Sequence, residues 1–234
     1  MAFPYFYSDT IEPGNHIQHL DENAAKHINQ VLRMKKSDKI NLTNGRGALA
    51  TAIIEGQGKK ECTVVITEFT QTPANPHHTA IAISLIKNVA RFEWFLEKAT
   101  EMGISSVVPL ICDRTERIHF RKERMQNIMV SALLQSRQTW LPALADPISF
   151  AQWVSSPSAS TCCIAHCLPD AKKHFREITS SNTDLSIAIG PEGDFTDDEI
   201  SLALENNFVP VSLGQTRLRT ETAGLVAAAL MTIR

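Results

Sequence analysis

A break in hydrophobic period around residues 71–78 constrains the fold of this chain more than any other feature. Gln71-Thr72-Pro73-Ala74-Asn75-Pro76-His77-His78 contains two prolines and no apolar periodicity, the mark of a boundary between domains. Before it, short apolar runs are separated by turn signals. After it, apolar runs alternate with helical segments, as in a parallel α/β sheet. The expectation is a β domain over residues 1–72 and an α/β domain over residues 73–234, which together have enough interior for two cores.

In the first part, Lys39-Ile40-Asn41-Leu42-Thr43 runs into Asn44-Gly45, a strong hairpin signal, and residues 48–54 and 62–67 read as further strands. A helix is expected over residues 23–32, with Ala24, Ile28, Val31 and Leu32 on one side. In the second part, strands are expected over residues 80–86, 107–112, 162–165, 185–189 and 209–213. Between them, Phe92, Phe95, Leu96 and Ala99 share one face of a helix over residues 91–102, and Gly103 stands where a helix ends. Met125, Ile128, Met129, Ala132 and Leu133 mark the next helix, and others are expected over residues 171–178, 197–206 and 222–233. Phe92 and Phe95 read as core.

A hydrophobic content of 43% with 21% charged residues is that of a globular chain. Apolar runs such as Ala227-Ala228-Ala229-Leu230-Met231 fall far short of the roughly 20 residues that cross a bilayer. The first residues carry no basic and apolar leader pattern, so a cytoplasmic location is expected. The formal charge of −2 excludes indiscriminate coating of nucleic acid and leaves room for a local basic face. Five cysteines lack paired zinc spacings, and Cys162-Cys163-Ile164-Ala165-His166-Cys167 reads as a strand that divides its ligands between two faces. They are expected to be reduced and buried, with no metal.

Ligands of parallel sheets collect beyond the carboxyl ends of the strands, and two loops here occupy that position. One is Gly190-Pro191-Glu192-Gly193-Asp194-Phe195. The other runs from Leu213 through Gly214, Gln215, Thr216, Arg217, Leu218 and Arg219 to Ala223, just before the last helix. Glycine there lets a ligand approach the main chain. The pairs Gly45-x-Gly47 and Gly56-x-Gly58 sit between strands and open no helix, which excludes a dinucleotide fold of the dehydrogenase kind.

Ile189-Gly190-Pro191-Glu192-Gly193, followed by Ser212-Leu213-Gly214 and Leu218-Arg219-Thr220-Glu221-Thr222-Ala223, resembles the SPOUT (trefoil-knot) methyltransferases, and among them the family that methylates N3 of a uridine in 16S ribosomal RNA. The resemblance covers nearly the whole chain, with matches at His27-Ile28-Asn29-Gln30-Val31-Leu32-Arg33, Lys98-Ala99-Thr100-Glu101-Met102-Gly103 and Arg114-x-Glu116-Arg117. It implies an N-terminal PUA-like β-barrel domain for RNA, a C-terminal α/β trefoil knot, a homodimer, and 16S rRNA or the small ribosomal subunit as partner. It also implies S-adenosyl-L-methionine as cofactor, held by Ile189, Gly190, Pro191, Glu192 and Gly193 on one side and Leu213, Gly214, Leu218, Thr222 and Ala223 on the other. The sequence departs from the family pattern at Asp194, at Leu134-Gln135-Ser136-Arg137 and at Gln215-Thr216-Arg217.

Under this reading Arg219 is the catalytic candidate, because a guanidinium is a rigid fork of donors for charge on the uracil oxygens or for a neighbouring phosphate. An ion pair with Glu221 or Glu192 is its structural alternative. Arg33, Arg114, Arg117, Arg121 and Lys122, with Arg124 beside them, are the candidate RNA contacts, against the commoner meaning of solvated charge. Two other functions stay open at this level: a SPOUT enzyme acting on a ribose 2′-hydroxyl or on tRNA, and a PUA-type RNA-binding protein without catalysis.

Overall fold

The computed structural model describes residues 3–14, 16–58, 60–156, 159–179 and 183–233. The chain divides into two compact units, Met1–Ala74 with Leu133–Leu141, and Asn75–Ala132 with Pro142–Arg234.

The first unit contains β1 (Tyr5–Tyr7), β2 (Ile17–Leu20), α1 (Glu22–Lys26), β3 (Lys39–Thr43), β4 (Ala48–Gln57) and β5 (Cys62–Gln71). Its sheet has the order β1-β3-β4-β5-β2, with β1 parallel to β3 and the other pairs antiparallel. Strand periodicity is plain in β4, where Ala48, Ala50, Ala52 and Ile54 are buried and the residues between them are less so. The β4–β5 register shifts between Thr51 and Ala52 and again between Ile54 and Gly56. Such bulges bend and twist a ribbon, so the sheet curls around Ile11, Ile28, Ile40, Leu42 and Val64. Leu133–Leu141 ties onto the Asn44–Gly47 turn region: the Gly47 N–H donates to the Thr139 carbonyl at 2.8 Å, the Leu141 N–H to the Gly45 carbonyl at 2.9 Å, and the Trp140 indole to the Thr72 carbonyl at 3.1 Å.

The single helix expected over residues 23–32 is replaced by α1 and a wider π-helical turn at His27–Val31. Asp21 caps α1 by accepting from the Ala24 N–H at 2.7 Å. The widened turn breaks the 3.6-residue stripe. Ile28 is buried as expected, while Val31 and Leu32 are 69% and 41% exposed.

The second unit contains β6 (Thr79–Ser84), α2 (Val89–Met102), β7 (Ser106–Ile111), α3 (Lys122–Ser136, whose last turn joins the first unit), β8 (Ala143–Leu144), β9 (Ile148–Ser149), α4 (Phe150–Val154), β10 (Thr161–Ala165), β11 (Lys173–His174), α5 (Phe175–Thr179), β12 (Leu185–Ile189), α6 (Asp197–Glu205), β13 (Val209–Ser212) and α7 (Thr220–Thr232). The strands pair in parallel in the order β11-β13-β10-β12-β6-β7-β8, with β9 also on β7. Every residue of β6 and β12 is buried, as the continuous apolar runs of a doubly covered parallel sheet require. The helix expected over residues 171–178 is instead the short strand β11 and the single turn of α5. Lys173 and His174 pair with Val211 and Ser212, so sheet pairing overrides the local helical pattern.

Asn88 caps α2 by accepting from the Ala90 N–H, and Gly103 ends it in the left-handed conformation at φ 78°. The face of α2 turned inward carries Phe92, Phe95, Leu96 and Ala99. Thr196-Asp197-Asp198-Glu199 forms a reciprocal capping box on α6, and Glu199 also accepts from the Asp113 N–H at 2.9 Å. Helix α7 packs on α2 and β6. A Cβ on Gly224 would lie 2.7 Å from Phe95 Cε2 and 2.8 Å from Ile83 Cδ1, so only a glycine lets the helices approach this closely. At the start of α7 the buried Thr220 hydroxyl donates to the Gly190 carbonyl at 2.9 Å.

Two substitutions test this packing. Gly224→Ala overpacks the α7 contact and should lower the free energy of unfolding by about 1–3 kcal/mol, read by urea titration. Thr220→Val keeps the shape and leaves the Gly190 carbonyl unpaired, for a loss of about 1–3 kcal/mol. Wild-type stability in either variant would show that α7 is not held as described.

Candidate functional site

Strands β13, β10 and β12 are neighbours and run in the same direction, so the loops that leave them open at one edge of the sheet. Three loops, over residues 166–172, 190–196 and 213–219, line a cavity of about 940 Å³. Of the residues singled out from the sequence, Ile189, Gly190, Pro191 and Glu192 form one wall, and Leu213, Gly214, Leu218 and Ala223 another. Arg219 lines it too. Gly193 and Thr222 stand outside the lining: Gly193 packs against Arg114, and Thr222 is half-buried in the first turn of α7.

Gly214 has φ 148°, and a Cβ built there meets no atom within 4 Å. The main chain therefore faces open space, where a ligand can come close to the backbone. The glycine loop is held from outside by Arg114, whose Nη1 donates to the carbonyls of Gly193 at 2.7 Å and Phe195 at 3.1 Å. Arg114 is thus occupied in shaping this loop. Glu192 accepts from the Lys87 N–H at 3.1 Å, and Lys87 in turn pairs with Glu116 at 2.8 Å, which raises its pKa. Glu221 is buried in the first turn of α7, with Arg91 at 3.7 Å. A carboxylate suits that end of a helix.

Asp194, one of the departures from the family pattern, is in the left-handed region at φ 65°, a conformation that aspartate tolerates better than most residues. Its carboxylate accepts from the Phe195 N–H and from the Cys167 N–H, both at 2.8 Å. It thereby ties the second loop to the first.

The loop over residues 166–172 is the part that sequence reasoning missed. β10 ends at Ala165, where the strand is expected to end, and the chain then turns out along the cavity, a wall that the two glycine loops do not reveal. Cys62, Cys112, Cys162 and Cys163 are buried, but Cys167 is exposed, contrary to expectation. The available signal was the position itself, a third strand end followed by Pro169 and Asp170. Lys172 closes the loop by donating to the carbonyls of His166 at 2.7 Å and Leu168 at 2.6 Å.

Arg219 is the N-cap residue of α7, its side chain makes no capping bond, and among the described residues no carboxylate lies within 4 Å of its guanidinium. The ion pair with Glu221 or Glu192 is not formed. Arg217 lines the same cavity and is exposed. Of the candidate RNA contacts, Lys122 pairs with Asp146 at 2.8 Å, Arg124 with Glu93 at 2.9 Å, and Arg121 donates to the His119 ring at 3.1 Å. Arg117 is exposed, and Arg33 is exposed in the first unit in the left-handed region at φ 52°.

Residues 73–232 match the model of an RNA methyltransferase domain, and residues 20–67 that of an RNA methyltransferase PUA domain. The chain is 31% identical to the ribosomal RNA small subunit methyltransferase E of Synechocystis over 87% of its own length and 68% of that protein's. It is 28% identical to the protein of the same name from Rickettsia conorii, over 96% and 92%. Among solved structures, a probable rRNA-methyltransferase from Porphyromonas gingivalis superposes with TM-score 0.90 at 35% identity, covering 98% of each chain. The ribosomal RNA small subunit methyltransferase E of Neisseria gonorrhoeae, bound to S-adenosyl methionine, does so with TM-score 0.88 at 29% identity, over 98% of this chain and 97% of that one. The expected architecture, a parallel α/β domain of the SPOUT class with a PUA-like β domain before it, is the one present. With the matching model spanning most of the chain, this protein belongs to the RNA methyltransferase family.

Proposed function

We propose that this chain transfers a methyl group from S-adenosyl-L-methionine to N3 of a uridine in 16S ribosomal RNA, working as a homodimer. The observation that carries the reading is the three-loop cavity at the carboxyl ends of β10, β12 and β13, with the unpaired Arg219 on its wall. The names of the relatives supply the substrate class, and the cofactor bound to the Neisseria protein supplies the donor.

The residues fit that donor. A cavity of about 940 Å³ suits a ligand of its size, and Gly190 and Gly214 give it backbone to lie against. When bound, S-adenosyl-L-methionine supplies a methyl group activated by its sulfonium. The protein must then hold acceptor and donor in line, and the loops are built to stay still: Thr220 fixes Gly190, Arg114 fixes Gly193, and Asp194 fixes Cys167.

Uracil N3 has a nucleophilic lone pair only after its proton leaves, and the charge then spreads to the flanking oxygens. Arg219 is free of acidic partners and stands at the amino end of α7, so its guanidinium stabilises that charge as it develops. Glu192 and Glu221 are engaged in structural contacts, and neither is assigned as the base. Arg33 in the first unit, and Arg117 and Arg121 in the second, are exposed and serve as RNA contacts of their own units, while Arg114 and Lys122 serve the protein itself. The part-exposed apolar residues Leu225, Val226 and Leu230 of α7 and the exposed Ile233 offer the dimer surface. Among the described residues no helix is long and apolar enough to cross a membrane.

Nucleosides from 16S RNA of a strain lacking the gene should contain no 3-methyluridine, and purified protein with the donor should restore it. Appearance of a 2′-O-methylated nucleoside instead would move the assignment to the ribose. Arg219→Ala should lower turnover by about 10²–10³-fold, the range seen for removal of a transition-state donor, with donor affinity within about twofold. Unchanged turnover would remove Arg219 from catalysis.

Cys167 gives a separate readout of donor binding. Burial and the neighbouring Asp194 raise its pKa, so its thiolate fraction at neutral pH is below that of a free cysteine and grows as pH rises. Aromatic disulfide reagent should therefore modify one thiol, faster at pH 9 than at pH 7, and saturating donor should block the reaction. Burial holds the Cys112 and Cys163 thiols at about 12, and they should stay unmodified in the native protein.

A further inference from the structure

The first unit carries a groove of about 440 Å³, lined by Phe3, Tyr5, Leu32 and Met34 and, from the tail of α3, by Leu134 and Arg137. Its aromatic floor follows from strand alternation. Phe6 of β1 is buried, which turns Tyr5 to the opposite face, and Phe3 lies two residues earlier with 38% of its surface exposed. Lys39 Nζ stands 5.7 Å from the centroid of the Phe3 ring, a cation–π contact that steadies the ring. Leu32 follows the π-helical turn at His27–Val31, which breaks the apolar stripe and leaves this side chain in solvent. Widened turns of this kind recur at functional sites.

Arg33, Lys35, Lys39 and Arg137 belong to the segments that form this groove, and all four are exposed. Among the described residues no carboxylate lies within 4 Å of their charged groups. Two of them are held in place by the backbone at a cost. The Arg137 N–H donates to the Leu134 carbonyl at 3.3 Å and the Gln138 N–H to the Leu133 carbonyl at 3.1 Å, the pair of bonds with which a helix ends on a left-handed residue. Glycine usually takes that place, yet here Arg137 does so at φ 57°, and Arg33 is left-handed at φ 52°. Such strained positions persist where the surroundings fix them, and they gather at ligand sites. In a chain of net charge −2, unpaired cations beside an aromatic floor are complementary to a phosphate backbone.

We infer that this groove takes one unstacked base of single-stranded RNA, laid against Phe3 and Tyr5 and backed by Leu32, with the flanking phosphates on Arg137, Arg33 and Lys35. Free phosphate would leave the aromatic floor unused, and an apolar ligand would leave the cations without partners. A base on a phosphate backbone uses both. Every base has a face that stacks on an aromatic ring, so the groove grips a strand without reading its sequence. This rests on the reading of the chain as an enzyme that acts on RNA. It adds a hold on the strand that is separate from the methyl-donor cavity, built in part by residues that lie beyond the proline-marked boundary in sequence.

The test is fluorescence anisotropy of labelled decauridylate and of an abasic ribose-phosphate decamer, titrated with the full chain as wild type, Phe3→Ala, Tyr5→Leu and Arg137→Asn. Asparagine is chosen at 137 because it tolerates positive φ. The wild type should bind decauridylate roughly tenfold more tightly than the abasic chain. Phe3→Ala should lose about tenfold for decauridylate, the effect of removing one stacking ring, and less than about twofold for the abasic chain. Tyr5→Leu should show the same pattern with a smaller loss. Arg137→Asn should weaken both probes alike, because a phosphate contact carries no base information. Equal binding of the two decamers by the wild type, or wild-type affinity of Phe3→Ala and Tyr5→Leu for decauridylate, overturns the inference and leaves the 16S reading standing. A change in the sedimenting mass of Phe3→Ala with both affinities unaltered assigns the groove to a second copy of the chain, and overturns it too. Methylation of 16S RNA is assayed on the same protein: no 3-methyluridine, with the groove effects as expected, sinks the uridine reading alone.

Discussion

Helix α7 can lie against Phe95 and Ile83 only because residue 224 has no side chain, and much of the site follows from that approach. Seated there, the helix brings its first residue to the carboxyl end of β12, where the Thr220 hydroxyl meets the Gly190 carbonyl in a buried bond. The segment between β13 and α7 is then pinned at both ends and has to arch over the sheet edge. That arch is the second wall of the cavity. A bulkier helix contact would displace Arg219, Leu218 and Gly214 together, although a Cβ at residue 224 would meet Phe95 and Ile83 first. The chemistry of the loops therefore depends on an apolar contact in the core beneath them.

Charge in the site is sorted by engagement more than by residue type. Arg114 lies in the basic stretch that suggests nucleic-acid contact, but its guanidinium organises the Gly193 turn. Lys122 and Arg124 face acids on neighbouring elements. Glu192 and Glu221 are likewise taken, one by a backbone N–H and one by Arg91 and the start of a helix. Among the cavity residues, Arg219 retains an uncommitted guanidinium. An otherwise balanced surface, with a net charge of −2, still holds a cation where developing negative charge would need one.

Reading the sequence goes furthest where a single physical requirement fixes a segment. Continuous apolar runs give β6 and β12 with small errors at their ends, and the Phe92–Phe95–Leu96–Ala99 stripe with Gly103 gives α2. The two glycine loops also follow, since strand ends in a parallel sheet are where ligands bind. It fails where the partner is distant in sequence. Nothing local in Lys173-His174 says that β13 will pair with them, and the widened turn at His27–Val31 breaks a stripe that looks regular on paper. The third loop is obscured because, although the strand before it is expected to end at Ala165 as it does, residues 166–172 contain no glycine to mark a ligand loop. Arg114 and Lys122 show the same limit for function, because the sequence displays a charge and hides what it is bonded to.

The membership of Leu133–Leu141 in the first unit bears on how the chain is made. The Gly47 and Trp140 bonds that complete the region around the Asn44–Gly47 turn require residues synthesised almost seventy positions after Ala74. A nascent chain released from the ribosome tunnel only as far as Ala74 has its five strands and lacks the piece that satisfies the Gly47 N–H and the Gly45 and Thr72 carbonyls. The amino-terminal unit therefore gains these three bonds only after most of the first half of the second unit has emerged. For the same reason, a cut at the proline-marked boundary separates Leu133–Leu141 from the rest of its unit.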